Sequence, residues 1–397
     1  ELIEFKIGKH MRKVKEWAYE NLKGDSIIWL IILLLSIFSV LVVYSATGSL
    51  AYKYVGGNTE YYLLKHSALV FLSLFAMWVV HKIDYRYYTK ISKLLLWVSV
   101  FLLVITWFFG ANINEATRWL TIPIVNQAFQ PSDLAKLALI VTLASMLSKR
   151  QQNIQDFQRA IIPMLIWIGL ICGLIAMTNI SSAVMLFGTC MVVLFIGRVP
   201  LKFIGILLII GGFTGMIALK FGQRGGTAIS RVETFFGDVI PYQAQQGYAA
   251  IAAGGLFGKG PGQSDQRNFL PSAYSDFIYA IIIEEYGLVG GIIVILLYLS
   301  LLYRGMKATT HSDTAYGGLL VSGLVFYIIF QAMINIGVTL GLGPITGLTL
   351  PLLSMGGTSQ LFFGIAIGMV LSVTQSELSS FSRDARGNQL KNMETMT

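Results

Sequence analysis

Ten apolar stretches run along this chain, and they constrain its fold more than any other feature. They lie at 26–44, 67–80, 92–109, 131–147, 161–177, 183–196, 203–221, 276–302, 317–338 and 361–373. A helix that crosses the hydrocarbon core of a bilayer needs about 20 mostly apolar residues. The second and sixth stretches are short, and we expect both to extend into the polar residues beside them. The pattern predicts an all-α polytopic membrane protein with about ten transmembrane helices.

The composition agrees with a chain that is dissolved in lipid. Hydrophobic residues make up 55% of it and charged residues only 12%, whereas soluble domains carry about 25% charged residues. The glycine-rich stretch GLFGKGPG has Gly260 after Lys259, where a nucleotide-binding P-loop requires Ser or Thr. We therefore expect no nucleotide cofactor. No basic stripe interleaved with aromatic residues lies outside the apolar stretches, so we expect no nucleic-acid partner either.

Basic residues are distributed unevenly among the connections. With the N-terminus inside, 20 Lys and Arg residues lie in or beside the inside segments and 7 lie in the outside segments. Cytoplasmic loops carry an excess of Lys and Arg. The asymmetry predicts that both termini are cytoplasmic, with 1–25 as an N-terminal segment and 376–397 as a polar tail. The net charge of +9 suits an anionic inner leaflet.

Three long connections are then expected on the outside, at 111–130, 222–275 and 338–360. The middle one is the largest, and we expect it to form short helices on the outer surface. The third, GLGPITGLTLPLLSMGGTSQ, is apolar but broken by Gly and Pro. That pattern is typical of a re-entrant segment that is buried in protein at membrane depth.

Three carboxylates in the eighth stretch are the first candidates for chemistry. Asp276 opens the stretch, and Glu284 and Glu285 lie inside it. An ionisable residue within a membrane span suggests a function and needs a partner. Glu284 is about 12 Å deeper than Asp276 and about 80° around the helix, so the carboxylates do not form one pair. The alternatives are a helix N-cap for Asp276, and structural ion pairs or polar packing for the glutamates.

Two cations are candidate partners, namely Lys136 in QPSDLAKLALI and Arg118 in EATRWLTIP. Lys136 lies roughly 7 Å below the outer end of its own helix, at a depth between Asp276 and Glu284. A contact of Lys136 with Asp276 or a glutamate is feasible if the two helices are neighbours. The alternatives are a snorkelling lysine and, for Arg118, an interfacial anchor beside Trp119.

Three stretches resemble the signatures of the SEDS family, the shape, elongation, division and sporulation proteins that include FtsW and RodA. They are ATRWL with FQPSDLAKLALI, then AAIAAGGLFGKGPGQSDQRNFLPSAYSDFIYAIIIEEYGLVGG, then GPITGLTLPLLSMGGTSQLF. The resemblance covers 26–375 and is nearest to FtsW. Asp133 departs from the family's usual Glu, Asn179 in TNISSA stands in place of an Asp, and SMGGTS replaces Ser-Tyr-Gly-Gly-Ser-Ser.

The resemblance implies a SEDS-type fold and a peptidoglycan glycosyltransferase of the bacterial cytoplasmic membrane, acting in cell division. It implies lipid II as substrate, and a class B penicillin-binding transpeptidase and other division proteins as partners. Asp276 matches the family's essential aspartate and becomes the candidate catalytic residue. The matching stretches also contain candidates for substrate binding and for tuning the site. The substrate-binding candidates are Arg118, Lys136, Gln130, Ser132 and Lys259, and the tuning candidates are Asp133, Glu284 and Glu285.

The implied reaction suits a single outer carboxylate. Converting an α-linked donor into a β-linked polymer takes one inversion, which needs one general base and no enzyme nucleophile. Arg118, Lys136 or a divalent cation such as Mg²⁺ or Mn²⁺ would stabilise the departing pyrophosphate. A lipid II flippase is the alternative, because transporters also use buried charges and broken helices. A non-catalytic scaffold of the division machinery is a further one.

Overall fold

The computed structural model describes residues 21–394 except 55, 114–115, 123–126, 223–224 and 238–239, and it describes only the backbone of 54, 111–113, 116–118, 121–122, 127–128 and 377–394. Thirteen α-helices occur in this part of the chain. In chain order they are α1 (Ser26–Ala46), α2 (Gly48–Tyr54), α3 (Thr59–His81), α4 (Arg86–Phe109), α5 (Pro131–Lys149), α6 (Ile162–Thr178), α7 (Ile180–Ile196), α8 (Leu201–Phe221), α9 (Gly225–Phe236), α10 (Tyr242–Gly254), α11 (Ile278–His311), α12 (Ala315–Thr339) and α13 (Thr358–Glu394).

Ten of these helices correspond to the ten apolar stretches. Nine are long and apolar enough to cross a membrane, and α7 is a shorter apolar helix of 17 residues. The second stretch extends on both sides to become α3, as expected, and the last one continues beyond 375 to the end of α13. The all-α polytopic class is therefore confirmed.

The helix ends follow from local sequence. Asp25 accepts a hydrogen bond from the Ile27 N–H at 2.9 Å and so caps α1. Pro131 lies in the first turn of α5, where its missing N–H has no helical partner to lose. Asn179 ends α6 and caps α7 by accepting from the Ser182 N–H at 3.3 Å.

The three outer connections fold in different ways. The first forms a small antiparallel sheet, which the sequence did not predict, with strands β1 (Ala111–Ile113), β2 (Ala116–Ile122) and β3 (Gln127–Phe129) in that order. The second contains the short helices α9 and α10, as expected. The third is irregular between α12 and α13, yet its leucines at 348, 350, 352 and 353 are buried. Such burial fits the expected re-entrant segment.

Helices α5 and α12 lie at the centre of the molecule, and α8 is the most exposed of the long helices. In the most apolar window of each helix, 89% of the residues are buried in α5, 78% in α12 and 17% in α8. A central helix that is buried on nearly every side can place polar groups away from lipid. The outer ends of α5 and α12 are where this protein does so.

Helix α11 is broken at Gly287, which has φ 70° and ψ −174°. The loop after α10 bonds to the backbone groups on both sides of the break. The Lys259 N–H donates to the Glu284 carbonyl at 2.9 Å, and the Leu288 N–H donates to the Gly255 carbonyl at 3.0 Å. A Cβ at position 287 would lie 2.2 Å from a carbonyl oxygen of this loop, so only glycine fits. The residues before the break therefore form a short outer segment that is held by hydrogen bonds from the loop.

Candidate active site

A polar cavity of about 510 Å³ lies where α5, α7 and α11 begin. By the charge asymmetry, these helix ends are on the outside of the membrane. All three stretches that resemble family signatures contribute to its wall. The lining residues are Trp119, Gln130, Asp133, Lys136, Asn179, Ser182, Arg231, Gln243, Pro271, Ser272, Ser275, Asp276, Gln331, Gly347, Leu348, Thr349, Met355, Gly356, Gly357 and Ser359. We call this space the catalytic cavity.

Hydrogen bonds join the three stretches around the cavity. The Ser354 hydroxyl donates to the Ser275 carbonyl at 2.5 Å. The Gln130 N–H donates to the Thr358 hydroxyl at 3.2 Å. Residues far apart in sequence are thus held at fixed positions, as a preorganised site requires.

Asp276 lies just outside the spanning helix, because α11 begins at Ile278. It is not the cap of that helix: Phe277 occupies the N-cap position and makes no side-chain capping bond. Asn335 fixes the backbone here, since its amide donates to the Asp276 carbonyl and to the Leu348 carbonyl, both at 2.7 Å. Among the described residues, nothing hydrogen-bonds the buried Oδ1 of Asp276. The carboxylate is therefore positioned by its backbone and keeps an oxygen for the cavity.

Burial raises the pKa of the Asp276 carboxyl to about 6, and the nearby positive charge of Arg231 partly opposes the rise. A general base is most effective when its pKa lies near the working pH. This carboxyl is mostly ionised at neutral pH and yet is a stronger base than an exposed aspartate. The environment of Asp276 thus suits proton abstraction.

Arg231 is a functional candidate that the sequence did not single out. It lies on α9, and its guanidinium donates to the Ile345 carbonyl at 3.1 Å. Gly347 separates it from Asp276: a Cβ at 347 would lie 3.8 Å from Arg231 Nη1 and 3.9 Å from Asp276 Oδ2. Gly347 has φ +66°, a backbone conformation that favours glycine. The absence of a side chain also leaves the space between Arg231 and Asp276 open. In the sequence, Arg231 was one of several outside cations, with no further distinguishing signal.

Lys136 forms an ion pair with Asp133, one turn earlier on α5, with an Nζ–Oδ1 distance of 2.7 Å. Its ion-pair partner in this structure is therefore Asp133, and not Asp276 or a glutamate as considered from the sequence. Both side chains of the pair are buried, with 4% and 2% exposed, and both line the catalytic cavity. The i,i+3 spacing of the two residues was visible in the sequence and already favoured this pairing.

The other candidates on this side of the site have different positions. Gln130 lines the cavity and donates through its amide to the Ser132 hydroxyl at 2.7 Å, so Ser132 supports a lining residue. Arg118 lies on β2, and its side chain is outside the described part of the chain. The neighbouring Trp119 lines the cavity.

Lys259 and Glu284 pair with each other, away from the catalytic cavity. Lys259 Nζ lies 3.0 Å from Glu284 Oε1 and 2.9 Å from Asp265 Oδ2. The Ser264 hydroxyl donates to Glu284 at 2.5 Å. Neither Lys259 nor Glu284 is among the described residues that line the cavity, so Lys259 holds the loop against α11 in this structure.

Glu285, the next residue of the same helix, contacts the end of α1. It accepts a hydrogen bond from the Ser45 hydroxyl at the end of α1. The Arg267 guanidinium donates to the Ser45 carbonyl at 3.3 Å. The two glutamates therefore connect α11 to its outer loop and to α1, and this geometry fits the structural role considered for them.

An apolar groove of about 530 Å³ adjoins the catalytic cavity. Residues of α7, α8, α9 and α12 and of the segment 344–348 form its walls, and most of them are apolar. Asn179, Arg231 and Leu348 line both the groove and the cavity. The two spaces therefore adjoin each other at Arg231, and an elongated amphipathic ligand that spans this boundary would present one end to each.

The family follows from comparison with known proteins. Residues 25–378 match the family of cell cycle proteins FtsW, RodA and SpoVE. The chain belongs to this family. The match covers the ten apolar helices and all three signature stretches, so the resemblance to SEDS proteins is confirmed.

Relatives of known name agree with this assignment. Stage V sporulation protein E of Bacillus subtilis is 34% identical over 364 residues, which cover 88% of this chain and 97% of that protein. A probable peptidoglycan glycosyltransferase FtsW of Aliivibrio salmonicida is 33% identical over 331 residues, 80% of each chain. Among solved structures, a chain from a study of polymerization and crosslinking by a peptidoglycan synthase complex has TM-score 0.70 and 23% identity, covering 89% of this chain and 98% of that one. That structure shares the fold, and the chain is a multi-pass inner-membrane protein like the rest of its family.

The donor atoms of the cavity fit a divalent cation only together with a substrate. Within the described residues, no group of three or more His, Cys, Asp and Glu side chains could hold a metal ion. Asp133 and Asp276 each have one buried carboxylate oxygen without a hydrogen-bond partner there. Mg²⁺ is commonly bound by one or two carboxylates, with water and substrate phosphates completing its shell. The site therefore fits an ion that arrives with a phosphorylated ligand.

Proposed function

We propose that this protein is a peptidoglycan glycosyltransferase that polymerises lipid II at the outer face of the membrane, with Asp276 as its general base. The observation that carries the proposal is a carboxylate with a raised pKa on the wall of a polar cavity that is also lined by basic side chains. The names of the FtsW relatives support the same activity. The role in cell division is part of the proposal and rests on the likeness to FtsW.

The reaction uses Asp276 once. As the acceptor 4-hydroxyl attacks the anomeric carbon of the donor, its proton passes to the Asp276 carboxylate. A C–O bond forms on one face of that carbon while the bond to the lipid pyrophosphate breaks on the other, so the α-linkage becomes a β-linkage. No covalent intermediate on the enzyme is needed, because a single inversion requires one base and no enzyme nucleophile.

Cations around the cavity stabilise the leaving pyrophosphate. Arg231 and Lys136 line the cavity, and fixed positive charges in a site with little water act strongly on developing negative charge. We propose the same role for Arg118. Asp133 would hold a divalent cation together with substrate phosphates, and the ion would neutralise charge on the departing group.

The apolar groove receives the polyprenyl chain of the substrate. Its side walls include Val184 and Ile229, of which 65% and 43% are exposed. These surfaces face lipid in a membrane-embedded chain, and a hydrocarbon tail can enter between them from the bilayer. The pyrophosphate then lies near Arg231, where the groove meets the catalytic cavity.

A class B penicillin-binding transpeptidase is the partner that we propose. The solved structure with the same fold belongs to a peptidoglycan synthase complex in which polymerization and crosslinking are coordinated. A membrane-embedded polymerase that releases glycan on the outside needs a crosslinking enzyme on that side. Other division proteins are further proposed partners.

The test is polymer formation from purified lipid II, with and without the transpeptidase. Asp276→Asn keeps the size of the side chain but removes its basicity, and general-base catalysis is typically worth about 10²–10⁴-fold. We expect this variant to fold and bind lipid II but to lose polymerisation by that factor. Asp313→Asn, at an exposed aspartate between α11 and α12, is the control. Equal glycan yield from the parent and Asp276→Asn would reject the base, and lipid II transport without polymer would favour a flippase.

A further inference from the structure

A second polar pocket, of about 230 Å³, lies at the outer surface between α9, α10 and the segment 338–345. Its wall contains the hydroxyl groups of Ser230, Thr234 and Tyr248 and the amide of Gln243. Arg231 is the charged residue among the described residues that line it. We call this space the outer pocket. None of the steps above uses it.

The outer pocket borders the catalytic cavity. Gln243 and Arg231 line both spaces, and Arg231 also lines the apolar groove. Three spaces of different chemistry therefore meet at one guanidinium, which the Ile345 carbonyl holds at 3.1 Å. A ligand bound in the catalytic cavity therefore lies beside both the groove and the outer pocket.

The chemistry of the outer pocket suits a neutral, polyhydroxylated ligand. Hydroxyl and amide groups can each donate and accept hydrogen bonds, and Tyr248 adds an aromatic ring with a polar tip. Among the described lining residues there is no carboxylate to attract a cation. The other lining residues are mostly apolar, among them Phe235, Val338 and Ile345, so this wall is mixed whereas that of the groove is mainly apolar. A sugar ring matches both kinds of surface, through its hydroxyl groups and through its C–H faces.

We infer that the outer pocket is a saccharide subsite, which holds a sugar of the growing glycan strand next to the reacting one. The inference rests on the proposed function. A polymerase must keep the sugars that it has already joined close to the site if it is to extend the same strand again. The apolar groove is suited to lipid, whereas the outer pocket offers hydrogen-bonding groups at the outer surface. Its ligand class is therefore a hexose unit of the polymer.

The test compares strand length with the rate of the first coupling. Tyr248→Leu removes the ring and the hydroxyl from the pocket. Tyr242→Leu is the matched control, because Tyr242 lies on the same helix α10, is 53% exposed and is outside the pocket. Both variants are assayed with purified lipid II, by single-turnover formation of the first glycosidic bond and by the length distribution of the polymer on a gel.

We expect mean strand length to fall about fivefold in Tyr248→Leu. A loss of about that size in the affinity for the strand corresponds to roughly one net hydrogen bond. The first coupling should fall much less, and Tyr242→Leu should match the parent. Should Tyr248→Leu fail to fold by its melting curve, Tyr248→Phe decides the question, because it loses the hydroxyl alone and should still shorten the strands. Unchanged strand length overturns the subsite, as does an equal loss of first coupling and length. A parent that makes no polymer at all rejects the proposed function itself.

Discussion

Polymerisation by this protein should fall about tenfold when the pH is lowered from 7 to 5. The pKa of Asp276 is about 6, so about nine-tenths of this carboxyl is ionised at pH 7 and about one-tenth at pH 5. A base acts only when ionised, so kcat/KM should follow that fraction with a half-maximal value near pH 6. A carboxyl with the ordinary value of 3.8 would remain mostly ionised at pH 5, and the rate would barely change.

The charge of Arg231 provides an internal check on this reasoning. One Cβ position lies within 3.9 Å of both Arg231 Nη1 and Asp276 Oδ2, so these atoms are no more than about 8 Å apart. At that separation a unit charge contributes roughly 0.5–2 kcal/mol, for effective dielectric constants between those of water and a protein surface. Because the arginine lowers the pKa of Asp276, Arg231→Gln should move the half-maximal pH upward by about 0.4–1.5.

The assay measures kcat/KM for lipid II polymerisation from about pH 4.5 to about pH 8, a range that brackets the expected half-maximal pH. Arg231→Lys retains the charge and should keep a half-maximal pH near that of the parent, even if its rate is lower. Unfolding of Asp276's surroundings cannot imitate the profile. The folded pKa is raised above the ordinary value, so this group's contribution to stability is present below about pH 4 and is lost as the pH rises through 6. A parent profile that is flat from pH 7 to 5, or equal midpoints for Arg231→Gln and the parent, would refute the argument.

Two further variants test the walls of the catalytic cavity. Lys136→Ala leaves the buried carboxylate of Asp133 without its ion pair, which typically costs about 3–5 kcal/mol of stability. We therefore expect a much lower melting temperature and lost polymerisation. Lys149→Ala, at the exposed end of the same helix, should match the parent in both assays. Gly347→Ala forces a side chain into a left-handed backbone conformation and inserts a methyl group between the Arg231 guanidinium and the Asp276 carboxylate, so polymerisation should fall sharply. Gly337→Ala, where a Cβ has ordinary contacts, should remain active. An active Gly347→Ala protein would mean that the gap between these two groups is not used.

Much of the fold was predictable because hydrophobicity fixes it. A stretch that is apolar over about 20 residues has few alternatives to a spanning helix, and all ten were found. Asp276 could also be identified as a candidate from the sequence, since helix capping is the main structural role for an aspartate at the outer end of an apolar stretch. The structure assigns the N-cap position to Phe277, so that alternative does not apply.

What could not be predicted depends on contacts between distant segments. Arg231 lies near Asp276 because α9 folds back over the cavity, and no local pattern in the sequence reports that packing. Lys259 was expected to bind substrate, yet it pairs with Glu284, because a break in α11 brings the loop against the helix. The pairing of Lys136 with Asp133 is different, since the spacing along one helix was sufficient to favour it.

The interruption of α11 at Gly287 makes the position of Asp276 depend on residues outside the cavity. The loop after α10 bonds to the backbone on both sides of the break, through the Lys259 and Leu288 N–H groups. The side chains of Glu284 and Glu285 add bonds to this loop and to α1. The outer segment that leads to Asp276 is therefore fixed by several elements at once and not by one continuous helix. Changes in this loop, although away from the cavity, are expected to displace the carboxylate.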